Sequence, residues 1–263
     1  MNASNAPDGV RRLMFRNEDP WNAAGAGVSA ARDYLGVARA RMAGSAPAVL
    51  PILYVEVTRA CNLRCRYCGF STDYPGRGRE LDTSELCRLL DEAHVLGTRI
   101  VSFGGGEPFL RRDLPDVLAH AAGLGLAVHV DTNGTLVDHR LARMLARLPR
   151  VVLALSLDHP DPGGNDAVRG AGTHAAVASA LACLHALAPD VGTSLNCVVG
   201  KHNQGRLEGL VALAAHWGVD SVKFSPAQPT QSLRSRLARY IAASANASAC
   251  CQLTLSGEER MKG

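Results

Sequence analysis

Cys61, Cys65 and Cys68 fall within one short segment, Thr58-Arg59-Ala60-Cys61-Asn62-Leu63-Arg64-Cys65-Arg66-Tyr67-Cys68. Gaps of three and two residues let a single loop wrap three thiolates around one inorganic centre. Structural zinc and ordinary iron–sulfur clusters take four protein ligands. Three thiolates with no fourth nearby leave a coordination position open, which is the property of a site that does chemistry. Two other readings use the same residues: a zinc knuckle completed by a distant ligand such as His94 or His129, or a redox pair with a spare thiol. Zinc loops usually present two pairs of ligands, and this triplet has no second pair.

The rest of the composition narrows the setting. A chain of 263 residues holds one large domain with a full core, and 47% apolar with 20% charged residues is ordinary for a globular protein. The net charge of +4 is slight, and lysine occurs only at 201, 223 and 262. With 5% aromatic residues and no basic cluster, nothing resembles a nucleic-acid surface. No secretory h-region opens the sequence, and no apolar run reaches the roughly 20 residues of a membrane span. The expectation is therefore a cytoplasmic protein whose eight cysteines are thiols, serving metal or redox chemistry more readily than disulfides.

The elements that must position the cysteines alternate along the chain. Short β-branched runs predict strands at about 52–57, 100–103, 127–131, 151–157, 193–199 and 219–224, and helical patterns lie at about 83–96, 114–123, 138–148, 173–187 and 204–217. Asp82, Pro115 and Asp138 supply start signals for three of these helices. Such alternation means parallel strands with right-handed crossovers, in either an open doubly wound sheet or a partly closed barrel. Residues 1–50 read as an arm with a helix at about 28–43, residues 51–228 as the core, and 229–263 as a helix to about 243 followed by an Ala/Ser-rich tail.

Cys61-x3-Cys65-x2-Cys68, with an aromatic residue before the last cysteine, resembles the signature of the radical S-adenosylmethionine (SAM) superfamily. The resemblance continues in order over about residues 52–226. Gly104-Gly105-Gly106-Glu107-Pro108 is similar to the family's GGEP motif, and Thr132-Asn133-Gly134 matches another frequent element. Ser156-Leu157-Asp158 followed by Asn165-Asp166-Ala167-Val168-Arg169-Gly170 resembles its SLDG…HDxxRG stretch, while Asn196 and Phe224-Ser225-Pro226 match more loosely.

The resemblance implies an α/β fold, a partial (β/α)6 TIM-like barrel, with one 4Fe–4S cluster on Cys61, Cys65 and Cys68. The open iron would take SAM and cleave it reductively to a 5′-deoxyadenosyl radical that abstracts a hydrogen atom from the substrate. It further implies SAM contacts from Gly104, Gly105, Gly106, Glu107, Asn133, Ser156, Asp158, Arg169 and Asn196, with the adenine near Tyr67 and Phe70. Glu107 either assists SAM or only fixes the turn, and Asp158 either touches SAM or holds its loop.

Strand alternation adds candidates on the substrate side. Glu56, Ser102, His129, Asp131, Ser156, Asn196 and Lys223 share the parity of the motif residues and are expected to point into the barrel. Glu56, His129 and Lys223 are candidate substrate contacts, with a hydrogen-bond network supporting the cysteine loop as the alternative. Cys87 and Cys183 are expected to pack as small apolar residues, Cys197 to face away from the barrel interior, and the adjacent Cys250-Cys251 is a poor start to a cluster site. With no Cys-rich extension of the SPASM or twitch type recognisable, the expectation is a single cluster, a redox-neutral outcome, a small-molecule substrate and a flavodoxin or ferredoxin as reductant. The alternatives are a peptide-modifying maturase lacking its extension, or a non-catalytic iron or zinc protein on the same scaffold.

Overall fold

The computed structural model describes residues 35–36, 38–40, 42–45, 50–68 and 79–227. The helix expected at about 28–43 falls largely outside them, and Phe70, Cys250, Cys251 and the helix expected to about 243 fall wholly outside.

Six strands form one parallel sheet: β1 (Ile52–Thr58), β2 (Ile100–Gly105), β3 (Ala127–Thr132), β4 (Val151–Ser156), β5 (Gly192–Val199) and β6 (Ser221–Pro226). Their spatial order is their order in the chain, and β6 does not pair with β1, so the barrel stays unclosed. The crossovers carry α1 (Thr83–Val95), α2 (Leu114–Gly123), α3 (His139–Leu145), α4 (Pro162–Arg169), α5 (Thr173–Leu187) and α6 (Leu207–His216), with a short 3-10 turn at Pro108–Leu110.

The strand period of two divides the sheet into two faces. Val55, Val57, Val101, Phe103, Val128, Val130, Leu153, Leu155 and Leu195 are buried against the helices, where Leu86, Leu90, Leu118, Val177, Leu184 and Leu210 meet them. Each such large side chain contributes about 1.5–3 kcal/mol by leaving water. Tyr54, Glu56, Ser102, His129, Asp131, Asn196 and Lys223 occupy the alternate positions and are half-buried or exposed. The inner face is therefore polar, as the parity reading expected.

Helix starts follow the predicted signals. Asp82 forms a capping box with Glu85, and the Asp138 carboxylate accepts the Leu141 N–H at 2.8 Å. One helix was missed and two elements start late, while the second strand runs past its expected end and the 138–148 helix stops at Leu145. α4 is a separate helix absent from the sequence reading, because Gly163 and Gly164 follow its N1 proline and depress helix propensity. α6 begins at Leu207 because residues 201–205 form turns. β6 begins two residues late, since Gly218 adopts φ 70° after α6 and Asp220 turns back to accept the Thr193 N–H at 2.8 Å.

Candidate active site

The cysteine loop leaves the C-terminal end of β1, and its base is fastened from several directions. Thr58 Oγ1 and the Arg59 N–H both donate to Glu80 Oε1 at 2.9 Å. The Gly106 N–H donates to the Thr58 carbonyl and the Glu107 N–H to the Ala60 carbonyl, each at 2.8 Å. A Cβ on Gly105 would collide with the Thr58 carbonyl oxygen, and one on Gly106 with that of Ala60. Gly105 also sits at φ 118°, where other residues are strained. The glycine run thus seats β2 directly against the backbone of the cysteine loop. At these two positions the missing Cβ makes room for that backbone.

Glu107 is fully buried beneath this junction. Its carboxylate accepts from Thr132 Oγ1 at 2.8 Å, the Asn133 N–H at 2.8 Å and the Phe109 N–H at 3.2 Å. Burial pushes its pKa up despite those three donors. These bonds fix the turn at Pro108 and tie β2 to β3. Asn133 extends the tie, donating from Nδ2 to Asn62 Oδ1 at 2.8 Å inside the cysteine loop. Asn62 in turn donates to Thr135 Oγ1 at 2.8 Å.

The other flank is a buried ion pair. Arg169 Nε and Nη2 donate to the two Asp158 carboxylate oxygens at 2.7 and 3.1 Å, and both side chains are buried. Asp158 Oδ2 also accepts from the Tyr67 hydroxyl at 2.6 Å, and Oδ1 from the Val198 N–H at 2.8 Å. The guanidinium lies over the Tyr67 ring, 5.6 Å from its centroid, and His202 stacks on that ring at 6.1 Å. Thus two of the groups expected at SAM, Asp158 and Arg169, face each other, and the Arg169 fork holds a carboxylate of this chain. Asn203, which no sequence signal singled out, donates from Nδ2 to the Asp158 carbonyl at 2.8 Å.

Cys61 is exposed, and Cys65 and Cys68 are half-buried. Burial pushes the Cys61 and Cys65 thiols up, and mutual repulsion among the three sulfurs adds to it. Three crowded thiolates of like charge fit an iron centre, whose positive charge offsets that repulsion. Among the described residues no three Cys, His, Asp or Glu side chains converge as ligands of a single ion. A cubane gives each thiolate its own iron. His129, one suggested fourth ligand, lies instead at 3.0 Å from Ser102 on the inner face.

The inner-face candidates are brought together in part. Asn196 Nδ2 donates to Asp131 Oδ1 at 2.6 Å, and Ser102 bridges His129 and Asp131. Ser156, Asn196 and Lys223 stand level across β4, β5 and β6. Glu56 is level with Gly104 near the β1 edge. Tyr54, which sequence reading passed over, packs its hydroxyl against Gly104; its pKa is pushed up to about 12 by burial and by the charges of Asp131 and Glu56. Its parity with Glu56 was the signal that could have found it.

The sequence model of the radical SAM superfamily matches residues 55–214. The chain belongs to the radical SAM superfamily. As a radical SAM protein it uses a 4Fe–4S cluster and S-adenosylmethionine. It is 32% identical over 182 residues to PqqA peptide cyclase of Xanthomonas campestris pv. campestris, covering 69% of this chain and 48% of that protein. It is 36% identical over 163 residues to mycofactocin maturase MftC of Mycobacterium ulcerans, covering 62% and 44%. Streptococcus suis SuiB bound to the precursor peptide SuiA shares the fold with a TM-score of 0.63 at 18% identity, over 80% of this chain and 50% of SuiB. SuiB bound to S-adenosylmethionine also scores 0.63, at 17% identity over 84% and 54%.

The chain spans about half the length of the curated relatives it matches. The small-molecule partner expected from the sequence is overturned by these relatives, which include a peptide cyclase and a fold neighbour solved with a precursor peptide. Among the described residues, no single helix is long and apolar enough to cross a membrane.

Proposed function

We propose that this radical SAM enzyme modifies a peptide. The observation that carries the reading is the 32% identity over 182 residues with PqqA peptide cyclase. The sheet supports it: among the described residues β6 does not pair with β1, an arrangement that suits a polar inner face meeting an extended chain.

In this reading Cys61, Cys65 and Cys68 hold the cluster. When bound, the cluster supplies the electron that cleaves SAM to the 5′-deoxyadenosyl radical, which takes a hydrogen atom from the substrate. Glu107, Asn133, Asn62, Asp158, Arg169 and Tyr67 hold the loop rigid from both flanks. Gly104 and Ser156, at the C-terminal ends of β2 and β4, and Asn196, level with Ser156 on β5, border the space for SAM. Glu56, His129 and Lys223 meet the peptide.

Co-expression with the short open reading frames flanking its gene tests the reading, with peptide masses read by mass spectrometry. A mass change that depends on Cys65 is expected. If the reduced, reconstituted protein forms 5′-deoxyadenosine from SAM yet leaves every such peptide unchanged, the peptide reading is dropped.

A further inference from the structure

The inner face carries a hydrogen-bonded row that the cysteine loop does not use. Ser102 on β2 stands level with His129 on β3. Its Oγ lies 3.0 Å from His129 Nδ1 and 3.4 Å from Asp131 Oδ2. On its far side, Asp131 accepts from Asn196 Nδ2 at 2.6 Å, an arrangement that fixes the orientation of the Asn196 amide, since its oxygen would repel the carboxylate. Among the described residues the buried Asn196 Oδ1 has no hydrogen-bond partner.

A serine hydroxyl has one proton to give, and two acceptors compete for it. An ionised carboxylate can only accept and makes the stronger bond. Were Ser102 to donate to Nδ1 instead, its lone pairs would face Asp131 Oδ2 with no proton between them. The arrangement that satisfies all three groups runs Nδ1–H to Ser102 Oγ and Ser102 O–H to Asp131. His129 is then the Nδ1–H tautomer, and its Nε2 lone pair is left for the barrel interior.

We propose that His129 Nε2 is the proton acceptor for the substrate, with Ser102 and Asp131 as positioning residues that set its tautomer. The role rests on the peptide reading above for what the substrate is; the tautomer does not. A neutral substrate that has lost a hydrogen atom is a neutral radical; to close a new C–X bond it must give up one further electron, to an oxidised one-electron carrier of the flavodoxin or ferredoxin class, and one proton from the neighbouring X–H bond. In that step the X–H bond breaks and its proton forms an N–H bond at Nε2, the electron pair left on X joins the radical carbon in the new C–X bond, and the surplus electron passes to the carrier. The imidazolium so formed is offset by Asp131 through Ser102.

The charged groups that act on the ring are Asp131 on β3 and Lys223 on β6, while Tyr54 and Glu56 on β1 interact with each other and Tyr54 with Asp131. Burial and the Lys223 charge lower the His129 pKa from its ordinary 6.5, against the opposing pull of Asp131. That direction favours the neutral ring, the form that can take a proton.

The test has two arms. In the full chain with its cluster reconstituted and its histidines labelled with nitrogen-15, the His129 signal is assigned by its loss in His129→Gln. It should show Nδ1 protonated and Nε2 bare at pH 7, and Ser102→Ala should mix the two tautomers. A dominant Nε2–H form, or an imidazolium at pH 7, overturns the proposal. In the second arm, the peptide whose mass changes on co-expression is the probe. His129→Gln should lower modified peptide per 5′-deoxyadenosine by on the order of 100-fold or more, and Ser102→Ala should lower it less while shifting the acidic limb of the pH profile. An unchanged ratio in His129→Gln overturns the proposal. If no peptide is modified, the peptide reading fails, and the nitrogen spectrum still decides the tautomer.

Discussion

Asp158 is the side chain on which the site turns, because it joins Tyr67 of the cysteine loop, Arg169 of α4 and the backbone of β5. A buried pair is costly to break from one side, since the surviving charge has no compensation. Asp158→Asn should destabilise the apo chain by about 3–5 kcal/mol, read by urea unfolding. A loss below about 1 kcal/mol would mean that water reaches Arg169.

Glu107 gives a pH-dependent case. Its folded pKa is raised above the ordinary 4.5, so proton binding favours the fold. That contribution is complete below the unfolded value and is lost as pH rises through the folded one. Glu107→Gln does not titrate, so the stability of the wild type relative to this variant should be greatest in acid and decline above about pH 4.5. Urea midpoints of both proteins across that range check the sign, and a difference that grows with pH would show that the three donors outweigh burial.

At the scale of elements, the close seating of β2 on the cysteine loop should make the glycines unequal. At Gly105 a Cβ meets immovable backbone and the φ of 118° is strained for other residues, whereas at Gly163 in α4 nothing lies within 4 Å. Gly105→Ala should cost about 1–3 kcal/mol or more and lower cluster occupancy. Gly163→Ala should gain about 0.5–1 kcal/mol from helix propensity. Thermal unfolding of the two variants side by side separates local strain from a general loss of glycine flexibility.

For the whole molecule, the relation between the open sheet and the three thiolates sets the iron inventory. Anaerobic reconstitution should load about four irons per chain, and Cys65→Ala should remove both the cluster absorbance and 5′-deoxyadenosine formation. Iron retained in that variant would show that the remaining cysteines carry a centre of their own.

How much of this was legible beforehand follows from the range of the forces involved. The succession of strands and helices, helix starts at Asp82 and Asp138, the cysteine triplet and the inward parity of His129, Asp131 and Asn196 all depend on local periodicity and caps, which neighbouring residues encode; the spatial order of the strands does not. Helix α4 escaped notice because its glycines weaken that local signal while packing sustains it. The partners of Arg169, Glu107 and Gly105 depend on residues brought together from separate elements, 11 positions away for Arg169 and Asp158 and 26 for Glu107 and Asn133. A motif tells which side chains gather at the strand ends; the three-dimensional packing determines that several of them bind one another around the three cysteines.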